Sequence, residues 1–276
     1  MEIRQFQASD GYLLHYRQWM PETIRRGHLI LLHGIQSHSG WYEYSSQRFA
    51  EAGLTVSFLD RRGSGMNAAA RGDAASAERL MRDVVQFHEH LRFELAADAE
   101  LPWTLCGLSW GGKLAAATAS RFARRFDGLA LLYPGIHANV RASWWQNFQL
   151  NLADFADVRD KRIPIPVDDP VLFTGDPKWQ EFIRNDEFAL RDVTVGFLRA
   201  NRVLDRIAQS VSSLDCSTLL MLAARDQIID NRATCEHFQR LRCPRKTLFE
   251  YGNAQHTLEF EPDRDQFIDD LIRWLS

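Results

Sequence analysis

The alternation of short apolar runs with longer amphipathic segments constrains the fold more than any other feature of this sequence. Several of the apolar runs are continuously apolar, as strands covered on both faces must be. The predicted strands are Gly27–Leu32, Leu54–Leu59, Trp103–Leu108, Gly128–Leu132, Ser217–Ala223 and Lys246–Tyr251. The predicted helices are 42–52, 77–93, 110–126, 231–241 and 262–275. This order predicts an α/β fold in which a mostly parallel sheet carries helices on both faces.

Two regions depart from that alternation. Segments 3–7 and 12–19, joined by Ser9-Asp10-Gly11, predict an N-terminal antiparallel hairpin at the edge of the sheet. Residues 137–205 hold four prolines and helical patterns but no clear strand, and they lie between two predicted sheet strands. We therefore predict a core formed by 1–136 and 206–276, with 137–205 inserted as a helical cap.

Composition narrows the class of protein. The chain has 276 residues, with 33 Lys and Arg against 36 Asp and Glu, a net charge of −3. A balance so close to neutral argues against a nucleic-acid partner and against electrostatic attachment to anionic membranes. The first ten residues lack the apolar region of a signal peptide, and the apolar runs are too short to span a bilayer. The four cysteines lack the CxxC spacing that is typical of a zinc site or a redox-active pair, so we expect neither. We expect a cytoplasmic protein with no metal, no cofactor and no stable membrane anchor.

The most specific local pattern is Gly107-Leu108-Ser109-Trp110-Gly111, a GxSxG sequence between a predicted strand and a predicted helix. In that setting the pattern forms a sharp turn that exposes the serine hydroxyl, and the glycines avoid clashes at the base of the turn. The N-terminus of the following helix favours a developing negative charge beside the serine. The five residues alone also occur by chance in loops, but the flanking strand and helix favour a nucleophilic Ser109.

A serine nucleophile needs a base that a third group orients. His256 lies in the loop after the last predicted strand, and Asp226 directly follows Ser217–Ala223. Catalytic groups of open parallel sheets gather at the carboxyl ends of the strands, where both residues fall. Asp230 is the alternative acid, but Asp226 is nearer to the strand end and is preferred.

An oxyanion hole requires two backbone N–H donors. The residue after the nucleophile, Trp110, supplies one, and Ile35, in the loop after Gly27–Leu32, is predicted to supply the other. Gly34 allows the backbone to approach a substrate carbonyl closely. His33 is expected to brace this loop by hydrogen bonds rather than to transfer protons.

The chain order Ser109, Asp226, His256 and several motifs resemble the α/β-hydrolase superfamily. The closer similarity is to its monoacylglycerol-lipase, lysophospholipase and serine-aminopeptidase-like branch. The similar segments are 33–34, 38–42, 60–65, 107–112, 224–230 and 256–261. This resemblance implies a Ser–His–Asp esterase or lipase that works through an acyl-enzyme without metal or cofactor. Thr257 stands where that branch often has Glu, and Arg62 where it often has His.

The predicted cap carries the information about substrate. Trp144, Trp145 and Phe148 fall on one face of a predicted helix, and Phe197 belongs to a second apolar stripe. These four residues are predicted to bind a hydrophobic acyl group, as in a monoacylglycerol or lysophospholipid. The same aromatics could equally seat the cap on the core. Thioester or amide hydrolysis, acyl transfer and non-catalytic binding of a small molecule remain alternatives.

Overall fold

The computed structural model describes residues 1–24, 26–98, 100–139 and 158–275. In chain order, the strands are β1 (Glu2–Gln7), β2 (Leu13–Trp19), β3 (Gly27–Leu32), β4 (Leu54–Leu59), β5 (Trp103–Leu108), β6 (Gly128–Leu132), β7 (Arg162–Pro164), β8 (Asp192–Thr194), β9 (Ser217–Ala223) and β10 (Lys246–Tyr251). The main sheet has eight strands in the order β1-β2-β4-β3-β5-β6-β9-β10. Strands β1 and β2 form an antiparallel hairpin, β2 pairs antiparallel with β4, and the other neighbours are parallel. The predicted mostly parallel sheet with an antiparallel N-terminal hairpin is therefore confirmed.

Helices cover both faces of this sheet. In chain order, the helices of the described residues are α1 (Glu43–Glu51), α2 (Ala77–Glu94), α3 (Trp110–Arg121), α4 (Pro177–Asn185), α5 (Val195–Ser210), α6 (Asn231–Arg240) and α7 (Arg264–Trp274), of which α4 and most of α5 belong to the insertion. Helix α1 contacts α7, and α2 contacts α3. The crossover through α1 runs along the sheet in the opposite direction to those through α2 and α3. Because such crossovers are right-handed, α1 lies on the other face. All residues of β3, β4, β5 and β6 are consequently buried.

The path of the chain fixes where a site can form. From β3 the chain passes to β4 on one side, and it then returns across β3 to form β5 on the other side. Strands β3 and β5 pair directly, with Leu32 opposite Gly107. A reversal of strand order of this kind opens a crevice at the carboxyl ends of the strands. The loop after β3 and the turn after β5 both lie at this crevice.

The insertion differs from its sequence-based prediction. Residues 158–205 contain α4 and most of α5, as expected for a helical segment, but they also contain an antiparallel ribbon of β7 and β8. The predicted boundary at residue 205 falls inside α5, which ends at Ser210. Each strand has only three residues, too few for an alternating pattern to be visible in the sequence. Pro164 is tolerated because a two-stranded ribbon leaves one edge of each strand without a partner. The predicted helix that carries Trp144, Trp145 and Phe148 lies outside the described residues.

No helix within the described ranges is long and apolar enough to cross a membrane.

Candidate active site

Ser109 occupies the sharp turn between β5 and α3. Its backbone has φ 51° and ψ −120°, a combination that residues other than glycine rarely adopt. Backbone hydrogen bonds hold this conformation: the Ser109 N–H donates to Leu132, and its carbonyl accepts from Gly112 and Gly135 at 2.9 and 2.7 Å. A Cβ on Gly111 would overlap the carbonyl oxygen of Leu32, so the turn needs glycine there. The half-buried serine is thus held at the end of the sheet with its side chain accessible.

The three predicted catalytic side chains meet at this turn. Nε2 of His256 lies 2.9 Å from Oγ of Ser109, and Nδ1 lies 2.7 Å from Oδ2 of Asp226. An ionised carboxylate can only accept hydrogen bonds, so Nδ1 carries the ring hydrogen and Nε2 is left to accept from the hydroxyl. This tautomer is the one that a base toward serine requires.

The surroundings of Asp226 and His256 fix both side chains. Oδ1 of Asp226 accepts hydrogen bonds from the N–H groups of Ile228 and Ile229 at 2.8 and 3.0 Å. The side chains of Asp226 and His256 are 0% and 2% exposed. The imidazole also packs against the rings of Tyr133 and Phe173, whose centroids lie 4.8 and 5.7 Å away. Neither side chain therefore has room to turn away from the other.

Asp230, the alternative acid, has a different place in the structure. Its carboxylate accepts a hydrogen bond from the N–H of Ala233 at 2.9 Å and caps the N-terminus of α6. Of the two acids that follow β9, only Asp226 is hydrogen-bonded to His256.

The loop after β3 offers the second N–H of the predicted oxyanion hole. Nδ1 of His33 lies 2.8 Å from the carbonyl oxygen of Gly34, and its Nε2 accepts from the N–H of Arg61 at 3.1 Å. Burial lowers the pKa of His33 to about 3, so the ring is neutral and Nδ1 donates. In a trans peptide the C=O and N–H point in opposite directions, so this bond fixes the direction of the Ile35 N–H.

Two backbone donors at the site are unused. In the part of the chain that the structure describes, the N–H groups of Ile35 and Trp110 donate to no protein acceptor. Arg61 holds the same loop from behind: its guanidinium donates to the carbonyl of Ile35 and stacks over the Trp110 ring, 4.9 Å from its centroid. Ile35 and Trp110 both line the cavity beside Ser109, so their N–H groups stay the predicted donors to an oxyanion at this site.

A cavity of about 190 Å³ opens beside Ser109, Ile35 and Trp110. Most of its other lining residues are apolar, and many come from the insertion. Its remaining walls are formed by Lys113, Gly135, Ala138, Ile163, Pro164, Ile165, Pro166, Val167, Val193, Leu198, Asn201, Ile228 and Ile229. Such a composition suits an apolar ligand group with few polar contacts.

Phe197, predicted from the sequence to bind substrate, does not line this cavity. It is fully buried and stacks on Trp110, with ring centroids 5.4 Å apart. Its helical neighbour Leu198 lines the cavity instead. The apolar stripe on α5 is therefore real, but the turn of the helix directs Phe197 into the core behind Trp110. Trp144, Trp145 and Phe148 lie outside the described residues.

Sequence reasoning missed several residues of the cavity. The run from Ile163 to Val167 was not among the predicted substrate-binding residues, although its dense apolar character was a usable signal. Lys113 and Asn201 gave no signal, because a single lysine or asparagine on a helix is usually exposed. Within the described ranges, no three His, Cys, Asp or Glu side chains are grouped as metal ligands.

Comparison with known proteins shows which family this sequence matches. Residues 23–263 match the family described as Serine aminopeptidase, S33. The monoacylglycerol lipase of Mycolicibacterium smegmatis is 27% identical over 98% of this chain and 95% of its own. The monoglyceride lipase of Homo sapiens is 25% identical over 92% of this chain and 82% of its own.

Solved structures agree in fold. The Paleococcus ferrophilus monoacylglycerol lipase has a TM-score of 0.83 at 21% identity, covering 95% of this chain and 98% of its own. A soluble variant of the Saccharomyces cerevisiae monoglyceride lipase, in complex with a substrate analog, has a TM-score of 0.86 at 18% identity, covering 100% and 94%. Because the family match spans most of the sequence, the chain belongs to the Serine aminopeptidase, S33 family of α/β hydrolases.

Proposed function

We propose that this chain hydrolyses carboxylic esters of hydrophobic acyl groups, of the monoacylglycerol type, with Ser109, His256 and Asp226 as its catalytic triad. The observation that carries the proposal is the continuous hydrogen-bonded chain from Asp226 to the Ser109 hydroxyl, which ends at the mouth of an apolar cavity. The similarity to the monoacylglycerol lipase of Mycolicibacterium smegmatis and the monoglyceride lipase of Homo sapiens supports the choice of substrate class.

In the first half of the reaction, Oγ of Ser109 attacks the ester carbonyl carbon while Nε2 of His256 takes the hydroxyl proton. The carbonyl oxygen becomes negatively charged and receives hydrogen bonds from the N–H groups of Ile35 and Trp110. Asp226 stabilises the imidazolium that forms. His256 then returns the proton to the leaving alcohol as the C–O bond breaks, and an acyl-enzyme remains.

In the second half, water takes the place of the alcohol. His256 removes a proton from the water as its oxygen attacks the acyl-enzyme, and the same two N–H groups bind the second oxyanion. The carboxylic acid leaves when Oγ of Ser109 regains its proton from His256. Throughout the cycle the acyl chain lies in the apolar cavity, whose walls exclude bulk water.

We assign residues 137–205 as a cap and 1–136 together with 206–276 as the hydrolase core. The support is that β7 and β8 form a sheet separate from the main one and that residues from Ile163 to Val167 contribute walls to the cavity. In this arrangement the core supplies the reacting groups and the insertion supplies most of the acyl contacts.

A hydrolysis assay with a matched serine control tests the proposal. Wild-type protein is expected to release fatty acid from monoacylglycerols and p-nitrophenol from p-nitrophenyl esters, and to bind a fluorophosphonate probe covalently. Ser109→Ala is expected to lose at least about 10⁴-fold in kcat and all labelling. Ser212→Ala, which alters an exposed serine whose side chain has no hydrogen bond to any described residue, is expected to behave as wild type. Full labelling of Ser109→Ala would overturn the assignment.

The same preparation separates the related chemistries. Thioesters, aminoacyl amides and competing alcohols are assayed beside the esters. Faster turnover of a thioester or an amide, or transfer of the acyl group to added alcohol in preference to water, would replace the proposed reaction with that chemistry. Absence of turnover on every substrate would favour a binding protein.

A further inference from the structure

Lys113 places a buried cation in the wall of the apolar cavity. Its side chain is only 8% exposed, and it lines the same cavity as Ser109. It lies four residues after Ser109 on α3. Side chains of a helix lean toward its N-terminus, so the lysine leans back toward the end of α3 where Ser109 lies. A methionine or leucine would fill this position at lower cost, because burial of an ammonium group costs free energy unless it is well paired.

The ammonium group belongs to a polar cluster formed by Lys113, Asn201 and Asp205. Nζ of Lys113 donates to Oδ1 of Asn201 at 3.0 Å and to the carboxylate of Asp205. The Asn201 oxygen also accepts from the indole N–H of Trp110 at 2.7 Å. The side chain of Asp205 is 31% exposed, whereas Lys113 and Asn201 line the cavity. The cluster therefore connects the surface with the interior of the cavity.

Among the described residues, the ammonium group retains one donor without an acceptor. It has three N–H groups, and two of them have acceptors among the described residues. Burial lowers the pKa of Lys113, and the neighbouring Asp205 carboxylate opposes that shift and favours the charged form. Because Asp205 already offsets the positive charge, a neutral oxygen acceptor suits the remaining donor.

We propose that Lys113 and Asn201 form a polar recognition point in the acyl cavity, which selects esters whose acyl chain carries a neutral oxygen acceptor such as a ketone. This inference rests on the proposed function, because it assumes that the cavity holds the acyl group. A cavity that hydrogen-bonds an oxygen of its substrate discriminates strongly against an analogue without that oxygen, since the polar groups are then left unpaired.

A series of paired esters tests the proposal. The p-nitrophenyl esters of 4-oxopentanoic, 5-oxohexanoic and 6-oxoheptanoic acid are compared with those of pentanoic, hexanoic and heptanoic acid. Each kcat/KM is divided by the rate of hydroxide-catalysed hydrolysis of the same ester, which removes the inductive effect of the ketone. Wild type is expected to prefer the oxo ester by about 10-fold or more at one ketone position, the size of one net hydrogen bond. A ratio near one at every position would overturn the proposal without any variant.

Variants then assign the preference to the cluster. Lys113→Met is expected to abolish the preference for the oxo ester, and the double variant Lys113→Met/Asp205→Asn is expected to do the same without leaving an unpaired carboxylate. Lys178→Met, at an exposed lysine of α4, is the matched control and should keep the wild-type ratio. If either cluster variant folds and keeps that ratio, the recognition point is wrong. Hydrolysis of the plain alkanoates, abolished in Ser109→Ala, reports separately on the proposed function.

Discussion

Oδ2 of Asp226 lies 2.7 Å from Nδ1 of His256, and backbone N–H groups of Ile228 and Ile229 hold the other oxygen of the same carboxylate. The carboxylate is thus fixed on both sides, and its orientation determines which nitrogen of the imidazole carries hydrogen. The proton-accepting nitrogen toward Ser109 is therefore set by contacts on the far side of the ring.

Replacement of Asp226 by asparagine tests this relationship. If the amide oxygen accepts from Ile228 and Ile229, the amide N–H₂ faces His256 and makes Nδ1 an acceptor. Nε2 then carries the hydrogen and cannot take the serine proton, so we expect kcat to fall by about 10⁴-fold with little change in stability. The measurement is ester turnover, with the urea midpoint as a check on folding.

Asp230→Asn is the matched control for that variant. Asparagine caps helix N-termini about as well as aspartate, so both kcat and the urea midpoint should stay close to wild type. If Asp230→Asn loses activity while Asp226→Asn keeps it, the two acids have been assigned to the wrong roles.

The hydrogen bond from His33 to the carbonyl of Gly34 predicts that two substitutions of His33 differ in their effect on kcat. The amide nitrogen of asparagine lies near the position of Nδ1, so His33→Asn can still donate to Gly34. Glutamine reaches instead toward the position of Nε2 and loses that bond. We expect kcat to fall by about 10-fold or more in His33→Gln, and less in His33→Asn, with KM nearly unchanged in both. Equal kcat in the two variants would mean that this bond does not orient the Ile35 N–H.

The buried side chain of His88 is expected to make the free energy of unfolding depend on pH. Its ring is buried between Trp103 and Phe126, with both ring centroids 5.0 Å away and neither nitrogen paired with any described residue. Burial lowers its pKa to about 4. Between pH 6.5 and 4 the unfolded chain binds a proton that the folded chain does not, so stability falls as pH decreases. Each such histidine contributes a loss of up to about 1.4 kcal/mol per pH unit.

His88→Phe should reduce that loss. Phenylalanine retains the ring contacts and has no group to protonate, so urea midpoints at pH 7 and pH 4.5 should differ less in the variant than in wild type. At pH 7 the variant should be at least as stable, since two unpaired ring nitrogens are removed. His33 is also buried with a lowered pKa, so part of the acid sensitivity will remain. An unchanged difference between the two pH values would count against the role of His88.

Phe197 and Leu198 are adjacent in sequence, but we expect substitution of Phe197 to lower stability and substitution of Leu198 to weaken substrate binding. Phe197 is fully buried behind Trp110, so Phe197→Ala should lower the free energy of unfolding by about 3–5 kcal/mol. Leu198 lines the cavity and is only half-buried, so Leu198→Ala should raise KM for longer acyl esters with a smaller loss of stability. Denaturant titration and kinetics over a series of acyl lengths measure both. A large KM effect from Phe197→Ala without loss of stability would reverse the assignment.

The sequence by itself determined the sheet and the nucleophile turn. The six predicted strands begin and end at the residues found in the structure. In five of them the local run is apolar because both faces of the strand are buried, whereas β10 lies at the edge of the sheet and is only partly buried. The turn at Ser109 was recognisable from its local GxSxG sequence, and Gly107 is required by atoms of the same turn and helix. Gly111 is required by the carbonyl oxygen of Leu32, which is distant in the sequence. Helix ends were less certain: the helix predicted to extend to residue 126 ends at Arg121.

Only the tertiary structure distinguished the roles of the two acids after β9 and showed that Phe197 lies in the core and not in the cavity. It alone also showed the β7–β8 ribbon and the position of Lys113 in the cavity wall. Each of these depends on contacts between distant parts of the chain, such as the 147 residues that separate Ser109 from His256. The local sequence shows whether a residue is apolar and at what period apolar residues recur around it. Which surface it meets is decided by how helices and loops pack once the sheet has formed, and that information is not contained in any single segment.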